Sequence, residues 1–193
     1  MKVLIACEFS GVVRDAFIKA GHDAISCDIK PTESEGPHIC GDIRDVNLSS
    51  YDLLIAHPPC TALCVTGNRH YAKTQERRDA IEFWKFFYNA EVERICVENP
   101  VGVISTEVRP PDQYIHPYQF GHPVTKKTGL WLKNLPPLKP TNIVDPDEQV
   151  VLSSGKKMSK WFYETSLLPK NQRGHVRSIT FQGIADAMAD QWS

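Results

Sequence analysis

The chain has 193 residues, a net charge of −1 and an apolar fraction of 41%, which are ordinary values for one globular domain. No apolar run approaches the roughly eighteen residues that cross a membrane, and the first residues lack the apolar core and cleavage site of a signal peptide. These features predict a single cytoplasmic domain over residues 1–193 with no membrane partner. The six cysteines have no disulfide-framework spacing and are expected to be reduced.

Strands and helices alternate over the first hundred residues. Apolar runs predict strands at 3–7, 24–27, 38–40, 53–56 and 94–97, and helical spacing predicts helices at 11–20 and 74–89. Thr74 is a suitable N-cap for the second helix. Such alternation is typical of an α/β fold with a mainly parallel, doubly wound sheet.

The pattern changes after Pro100. Proline becomes frequent, strand-like pieces follow at 114–120 and 130–132, and a last helix is predicted at 183–192. Residues 139–176 are polar with weak periodicity and are expected to form a long loop or insertion. Residues 126–177 carry 10 Lys and Arg against 4 Asp and Glu. This basic segment fits either a nucleic-acid footprint on one face or an ordinary charged surface.

Three predicted strand ends carry residues suited to a nucleoside-containing ligand, because the carboxyl ends of parallel strands meet at one sheet edge. Phe9-Ser-Gly11 forms a glycine turn before a helix, whose free N–H groups are expected to meet a polar ligand. Asp28 is placed to bind a ribose diol, or is an exposed turn residue. Asp42 is placed to accept an adenine amino hydrogen, or to cap a helix.

The next two strands end at His57-Pro-Pro-Cys60 and Glu98-Asn-Pro100. The prolines hold Cys60 at the strand edge. A thiolate and a carboxyl group on opposite sides of a planar ring suit methylation of C5 of cytosine: the thiolate adds at C6, and the acid protonates N3. Such a thiol needs a lowered pKa, which a nearby Lys or Arg can supply.

Other chemistries fit these residues less well. Cys60 and Cys64 with His57 and His70 have a spacing that matches no common zinc pattern, so no metal is expected and Cys64 is interpreted as a packed thiol. Amino-directed methyltransferases need an aromatic residue after the two prolines, and Cys60 is not aromatic.

Taken in order, these motifs resemble the DNA cytosine-5 methyltransferases, particularly the short forms that bacteriophages encode. Phe9-Ser-Gly11 is similar to the first cofactor loop, Gly41-Asp-Ile43 to the adenine-edge motif, and His57-Pro-Pro-Cys60 to the nucleophile motif. Glu98-Asn99 is similar to a Glu-Asn-Val motif, and residues 177–192 resemble the closing segment of the phage group. The resemblance implies a Rossmann-like class I fold that transfers a methyl group from S-adenosylmethionine to C5 of cytosine in DNA through a covalent Cys60–C6 adduct.

The resemblance and the basic segment together predict three groups of site residues. The catalytic group is Cys60, Glu98, Asn99, Lys126 and Lys127, of which one lysine stabilises the thiolate. The cofactor group is Phe9, Ser10, Gly11, Asp28, Asp42, Ile43 and Pro58. The DNA-contacting group is Arg69, His70 and Tyr71 in a loop after the nucleophile, and Lys156, Lys157 and Lys160 in a basic and aromatic patch.

The chain departs from the family pattern at three places. Pro100 follows Glu-Asn in place of valine, and Lys126-Lys127-Thr128 stands where the family has Arg-x-Arg, so a point charge replaces a planar fork. Residues 134–176 are too few for a full target-recognition domain and form at most a reduced one. A free cytosine nucleotide as acceptor, and a DNA-binding or decoy protein without turnover, therefore stay open. The target sequence and oligomeric state do not follow from the sequence.

Overall fold

The chain forms one seven-stranded sheet with helices on both faces and a separate two-stranded hairpin, in a computed structural model that describes residues 1–193. The order in the large sheet is β3-β2-β1-β4-β5-β7-β6. Its strands are β1 Lys2–Ala6, β2 Asp23–Asp28, β3 His38–Cys40, β4 Leu53–Ala56, β5 Arg94–Pro100, β6 Gln113–Ile115 and β7 Thr128–Lys133. The hairpin pairs β8 Gln149–Val151 with β9 Lys157–Ser159.

Seven α-helices connect these strands. They are α1 Val12–Lys19, α2 Asn68–Tyr71, α3 Gln75–Tyr88, α4 Ile104–Glu107, α5 Lys160–Leu167, α6 Lys170–Ser178 and α7 Gln182–Gln191. Thr74 caps α3 as predicted, since its hydroxyl accepts from the Arg77 N–H. None of the helices combines the length and the apolarity that crossing a membrane requires.

The predicted Rossmann-like, doubly wound sheet is confirmed. β3, β2, β1, β4 and β5 are parallel, whereas β7 runs antiparallel to β5 and β6 antiparallel to β7. The carboxyl ends of the five parallel strands therefore lie along one edge of the sheet, which is where open α/β sheets place ligands.

Both faces of the sheet are covered, so the central strands are continuous apolar runs rather than alternating ones. On one face Val3 and Ile5 pack with α1 and α7 in a core that ends at Trp192. On the other face Leu4 packs with α3, whose Trp84 meets Trp131 of β7 edge to face at 5.3 Å. These two cores fix the sheet on which the site is built.

The second half of the chain is more regular than its sequence suggests. The segment 114–120 contains only the short β6 followed by a 3-10 turn at 117–119, because proline at 117 ends the strand. The expected long loop at 139–176 contains β8, β9, α5 and most of α6. Residues 67–71, expected to be a loop, comprise the end of a 3-10 turn at 65–67 and the short helix α2.

Candidate functional site at the carboxyl ends of β4 and β5

The register of β4 and β5 brings the two central motifs together. Ala56 lies opposite Val97, so the Pro-Pro loop that leaves β4 runs beside Glu98 and Asn99. Asn99 is 2% exposed, and its Nδ2 donates to the carbonyl oxygen of Pro58 at 2.8 Å. Pro58 itself is buried. The amide of Asn99 thus holds the backbone that presents Cys60.

Glu98 is held by the neighbouring strand end. His57 Nδ1 donates to Glu98 Oε2 at 3.1 Å. Burial raises the pKa of the Glu98 carboxyl, but the hydrogen bond from His57 and the charge of Lys126 outweigh it, and the pKa lies below its ordinary value. Glu98 is therefore ionised at neutral pH, with the shared proton on the imidazole.

The two lysines of the altered Arg-x-Arg motif point to different places. The Lys126 ammonium acts electrostatically on both Cys60 and Glu98, and Nζ donates to the carbonyl oxygen of Arg177 at 2.9 Å. Lys127 Nζ lies 4.0 Å from the centre of the Tyr114 ring. The structure brings only Lys126 of the two to the thiol and the carboxylate.

Cys60 forms a pair with Cys64. The Cys60 thiol donates to the Cys64 sulfur. This bond, burial and the nearby charges of Cys64 and Glu98 raise the pKa of Cys60, whereas the charge of Lys126 lowers it. The pKa of Cys64 is lowered by the bond from Cys60 and by donors that include the Thr66 hydroxyl, 3.0 Å from the sulfur. The thiolate of the pair is thus on Cys64, contrary to the interpretation of that residue as a packed thiol and to the lowered pKa expected of Cys60.

Two small clefts adjoin these residues and share a wall. The base-side cleft contains Glu98, Lys126 and Thr128 among apolar side chains of β6 and α7. The turn-side cleft is lined by His57 and by the turn Cys7-Glu-Phe-Ser10 after β1. Ser178 and Thr180, between α6 and α7, line both clefts. His57 lines one cleft and Glu98 the other, so their hydrogen bond joins the two.

The N-terminus of α1 is not free for a ligand, contrary to expectation. The buried Glu8 carboxylate accepts from the N–H groups of Val13 and Arg14 at 2.7 and 3.2 Å. Gly11 has φ 78°, and a Cβ there would collide with Ser34 and with the Arg14 side chain. Gly11 therefore serves packing of the loop at 32–36.

The other predicted cofactor residues have partners within the chain. Phe9 is 8% exposed; its ring lies 5.3 Å from that of His175 and 4.6 Å from Lys30 Nζ. Ser10 donates to Glu8 at 3.3 Å. Asp28, at the end of β2, accepts from the Lys30 N–H at 2.9 Å.

Asp42 has the capping role that competed with adenine binding. Its carboxylate accepts from the backbone N–H and from the guanidinium of Arg44, which lowers the pKa of Asp42 to about 2. The next residue, Ile43, is buried in the core. Ligand binding at Asp42 and Ile43 stays a prediction.

The predicted DNA-contacting residues lie in two separate places. Arg69 and His70 are exposed and Tyr71 is partly exposed on α2, which Arg77 anchors through Asn68 Oδ1 at 2.8 Å. A second exposed set lies on the hairpin and at the start of α5, and comprises Lys156, Lys157 and Lys160. Trp161 beside them packs on Phe181 with ring centres 5.7 Å apart. The basic patch therefore presents lysines rather than a free indole.

No cluster of three or more His, Cys, Asp or Glu side chains in the structure has an arrangement that could hold a metal ion. Two residues at the site were missed as functional, His57 and Cys64. The Cys-x3-Cys spacing indicates that two thiols can meet across one turn. Extending the β4–β5 pairing by one residue places His57 next to Glu98.

Known proteins resemble this chain in structure alone, and at low sequence identity. No protein-family model matches the chain. No curated protein matches it either. Among solved structures, one similar protein is assigned as a DNA modification methyltransferase encoded within a prophage of E. coli, with 14% identity and a TM-score of 0.48 over 86% of this chain. Another is a DNMT2 mutant from Spodoptera frugiperda, with 16% identity and a TM-score of 0.46 over 76% of this chain. The chain covers 63% and 57% of their lengths.

Proposed function

We propose that this protein transfers a methyl group from S-adenosylmethionine to C5 of cytosine in DNA. The observation that supports this most directly is the convergence of Cys60, Glu98, Asn99 and Lys126 near the ends of β4 and β5, where Glu98 and Lys126 line one of two adjoining clefts. C5 of cytosine is a weak nucleophile, and a thiol, a carboxyl group and a cation around one ring are the groups needed to activate it.

The first step in this proposal is ionisation of Cys60. Its proton passes along the existing hydrogen bond to the Cys64 sulfur, which Thr66 stabilises as a thiolate. The Cys60 sulfur then forms a bond to C6 of the cytosine. Lys126 stabilises the negative charge that the sulfur carries before attack.

Glu98 and His57 handle the charge that appears on the base. As the Cys60–C6 bond forms, the electron pair of the C5–C6 double bond moves toward N3. Glu98 takes up a proton from solvent as the base enters and passes it to N3, while the Nδ1 proton of His57 stays on the ring and holds the carboxyl group in place; C5 is left with the character of an enamine carbon. After methyl transfer, a water molecule takes the C5 proton, the Cys60–C6 bond breaks with its electron pair returning to the sulfur, and N3 returns its proton to Glu98, so that the aromatic ring is restored.

The turn-side cleft is the proposed place of the cofactor that this chemistry requires. S-adenosylmethionine, when bound, supplies an electrophilic methyl group. Ser10, His57 and Phe9 line the cleft, and Asp28 is the last residue of the neighbouring strand β2. His57 Nε2 is buried without a hydrogen-bond partner, and a ligand group that reached it would supply one. Phe9 carries His175 against its ring, so stacking there requires that α6 shift.

DNA is proposed as the acceptor because exposed cations lie on α2 and on the β8–β9 hairpin, and the hairpin belongs to the segment 126–177 with excess positive charge. A cytosine in a duplex has to leave the base stack to reach Cys60, whereas single-stranded DNA avoids that cost. The region 134–176 supplies one hairpin and short helices for contact, so a reduced recognition surface is the corresponding proposal.

The test is incubation with labelled S-adenosylmethionine and unmodified DNA, followed by nucleoside analysis for 5-methylcytosine. A parallel incubation with DNA containing 5-fluorocytosine should yield a covalent complex, since loss of a C5 proton is blocked, and Cys60→Ser should give none. Label in dCMP but not in DNA would favour a free nucleotide as acceptor. Cofactor binding with neither product nor adduct would contradict the enzymatic proposal and favour a binding or decoy protein.

A further inference from the structure

His57 is placed between the two clefts by the way β4 ends. It is the first residue after the strand, its backbone N–H still donates to Ala6 of β1, and its side chain is only 8% exposed. The Pro-Pro sequence that follows fixes the direction in which the chain leaves. The imidazole is therefore held rigidly at the sheet edge.

The two nitrogens of the ring face different neighbours. Nδ1 donates to Glu98, which lines the base-side cleft. Nε2 is buried with no hydrogen-bond partner, and the His57 side chain lines the turn-side cleft. A buried ring nitrogen without a partner is costly, which a ligand in that cleft would relieve.

The proton on Nδ1 determines what Nε2 can do. A carboxylate only accepts hydrogen bonds, so Nδ1 carries the N–H, and Nε2 of that tautomer offers a lone pair. The complementary ligand group is a donor. Two carboxyl groups lie near the ring, Glu8 from the turn after β1 and Glu98 from β5, and a donor that is also a cation would pair with them. Lys126 acts on Glu98 and Cys60, and Arg14 acts on Glu8.

We propose that His57 is a two-sided positioning residue, whose Nδ1 orients Glu98 while Nε2 accepts a hydrogen bond from the ammonium group of an amino-acid moiety in the turn-side cleft. This deepens the proposed function and rests on its cofactor, S-adenosylmethionine, which carries such an ammonium group. It makes one side chain responsible for aligning both the acceptor base and the donor molecule.

Two substitutions separate the two nitrogens. His57→Asn keeps a donor near the Nδ1 position and removes the atom at Nε2, whereas His57→Gln reaches the Nε2 position without a donor at Nδ1. Binding is measured by calorimetry without DNA, with three probes: S-adenosylmethionine, its decarboxylated form, which keeps the ammonium group, and 5′-methylthioadenosine, which lacks the amino-acid end. Thermal unfolding establishes that both variants are folded.

The expected result is that His57→Asn weakens binding of the first two probes by about tenfold, as for loss of a hydrogen bond to a charged group, and leaves methylthioadenosine unchanged. His57→Gln should retain most of that binding. A ¹³C NMR titration should show the pKa of Glu98 still lowered in His57→Asn and raised in His57→Gln. This second readout reports on Glu98 even where binding is weak.

Equal affinity of wild type and His57→Asn for all probes would overturn the inference. So would an effect confined to S-adenosylmethionine, because that would assign Nε2 to the carboxylate. If the wild-type protein binds none of the three probes, the cofactor of the proposed function is wrong and the inference is overturned with it. Binding by wild type with no effect of either variant overturns the role of His57 alone.

Discussion

Cys60 donates its thiol proton in a hydrogen bond to the sulfur of Cys64, and the Cys64 N–H donates to the Cys60 carbonyl oxygen at 2.8 Å. The two sulfurs are thus linked through one turn of backbone. Because donors surround Cys64 and acidic charge faces Cys60, the thiolate of the pair is stabilised on Cys64. The residue in the nucleophile motif is accordingly the protonated member.

Alkylation should therefore distinguish the two thiols. With iodoacetamide near neutral pH, Cys64 is expected to react first, and Cys60 only at a clearly higher pH, because reaction requires the thiolate. Peptide mass spectrometry across a pH series measures both sites, with the exposed Cys40 as a reference for reagent access. Faster modification of Cys60 than of Cys64 at neutral pH would contradict the assigned pair.

The two adjacent lysines provide a matched test of the altered motif. Lys126→Ala should slow adduct formation on 5-fluorocytosine DNA by about tenfold or more. Loss of the cation raises the pKa of Cys60, and each unit of that rise lowers the fraction of thiolate about tenfold. Lys127→Ala, whose side chain contacts Tyr114, should stay close to wild type. Equal losses in both variants would mean a general role in DNA binding instead, and a salt series would reveal it.

Removal of the Asn99 amide should loosen the Pro-Pro loop. Asn99→Ala leaves the Pro58 carbonyl oxygen without its donor, and we expect a loss of about 1–3 kcal/mol in the free energy of unfolding. Urea unfolding measures it, with the exposed Asn171→Ala as a control expected within about 0.5 kcal/mol of wild type. A neutral Asn99→Ala would show that the loop is held by its prolines alone.

Glu98 should make stability depend on pH in one direction. Its pKa is lower in the folded than in the unfolded chain, so the stability it contributes is present above its ordinary value of 4.5 and is lost as the pH falls through the lowered value. Glu98→Gln should be less stable than wild type at pH 7, and the difference should shrink below pH 4.5. Denaturant unfolding at several pH values measures this.

The exposed Glu91→Gln is the control for that series and should show no such trend. A difference between wild type and Glu98→Gln that grows as the pH falls would mean that the pKa of Glu98 is raised rather than lowered.

The positions of the site strands follow from local sequence. The apolar runs before His57 and Glu98 are short, end in prolines and belong to a strand–helix alternation, so a parallel sheet with those ends at one edge could be predicted. The role of each carboxylate at that edge could not be predicted. Glu8 caps α1 and Asp42 is held by Arg44, and both contacts depend on how turns close rather than on periodicity.

The segment 139–176 could not be predicted because its order comes from distant contacts. The N-terminal N–H of α5 at Trp161 donates to Asp147, and Arg177 donates to the Phe162 carbonyl oxygen, so weakly periodic helices are fixed by polar side chains. Nor does spacing reveal which of Lys126 and Lys127 faces Cys60. That depends on where Arg177 lies.

The contact between Phe9 and His175 has a thermodynamic consequence for any aromatic ligand. The His175 imidazole is also held by Glu33, 3.4 Å from its Nε2. It therefore occupies the face of the Phe9 ring on which such a ligand would stack. A planar ring that stacks on Phe9 must exchange with it. The measured binding free energy is then the difference between two stacking energies. Weakening the contact of His175 with Phe9 would strengthen binding of the ligand by the same amount.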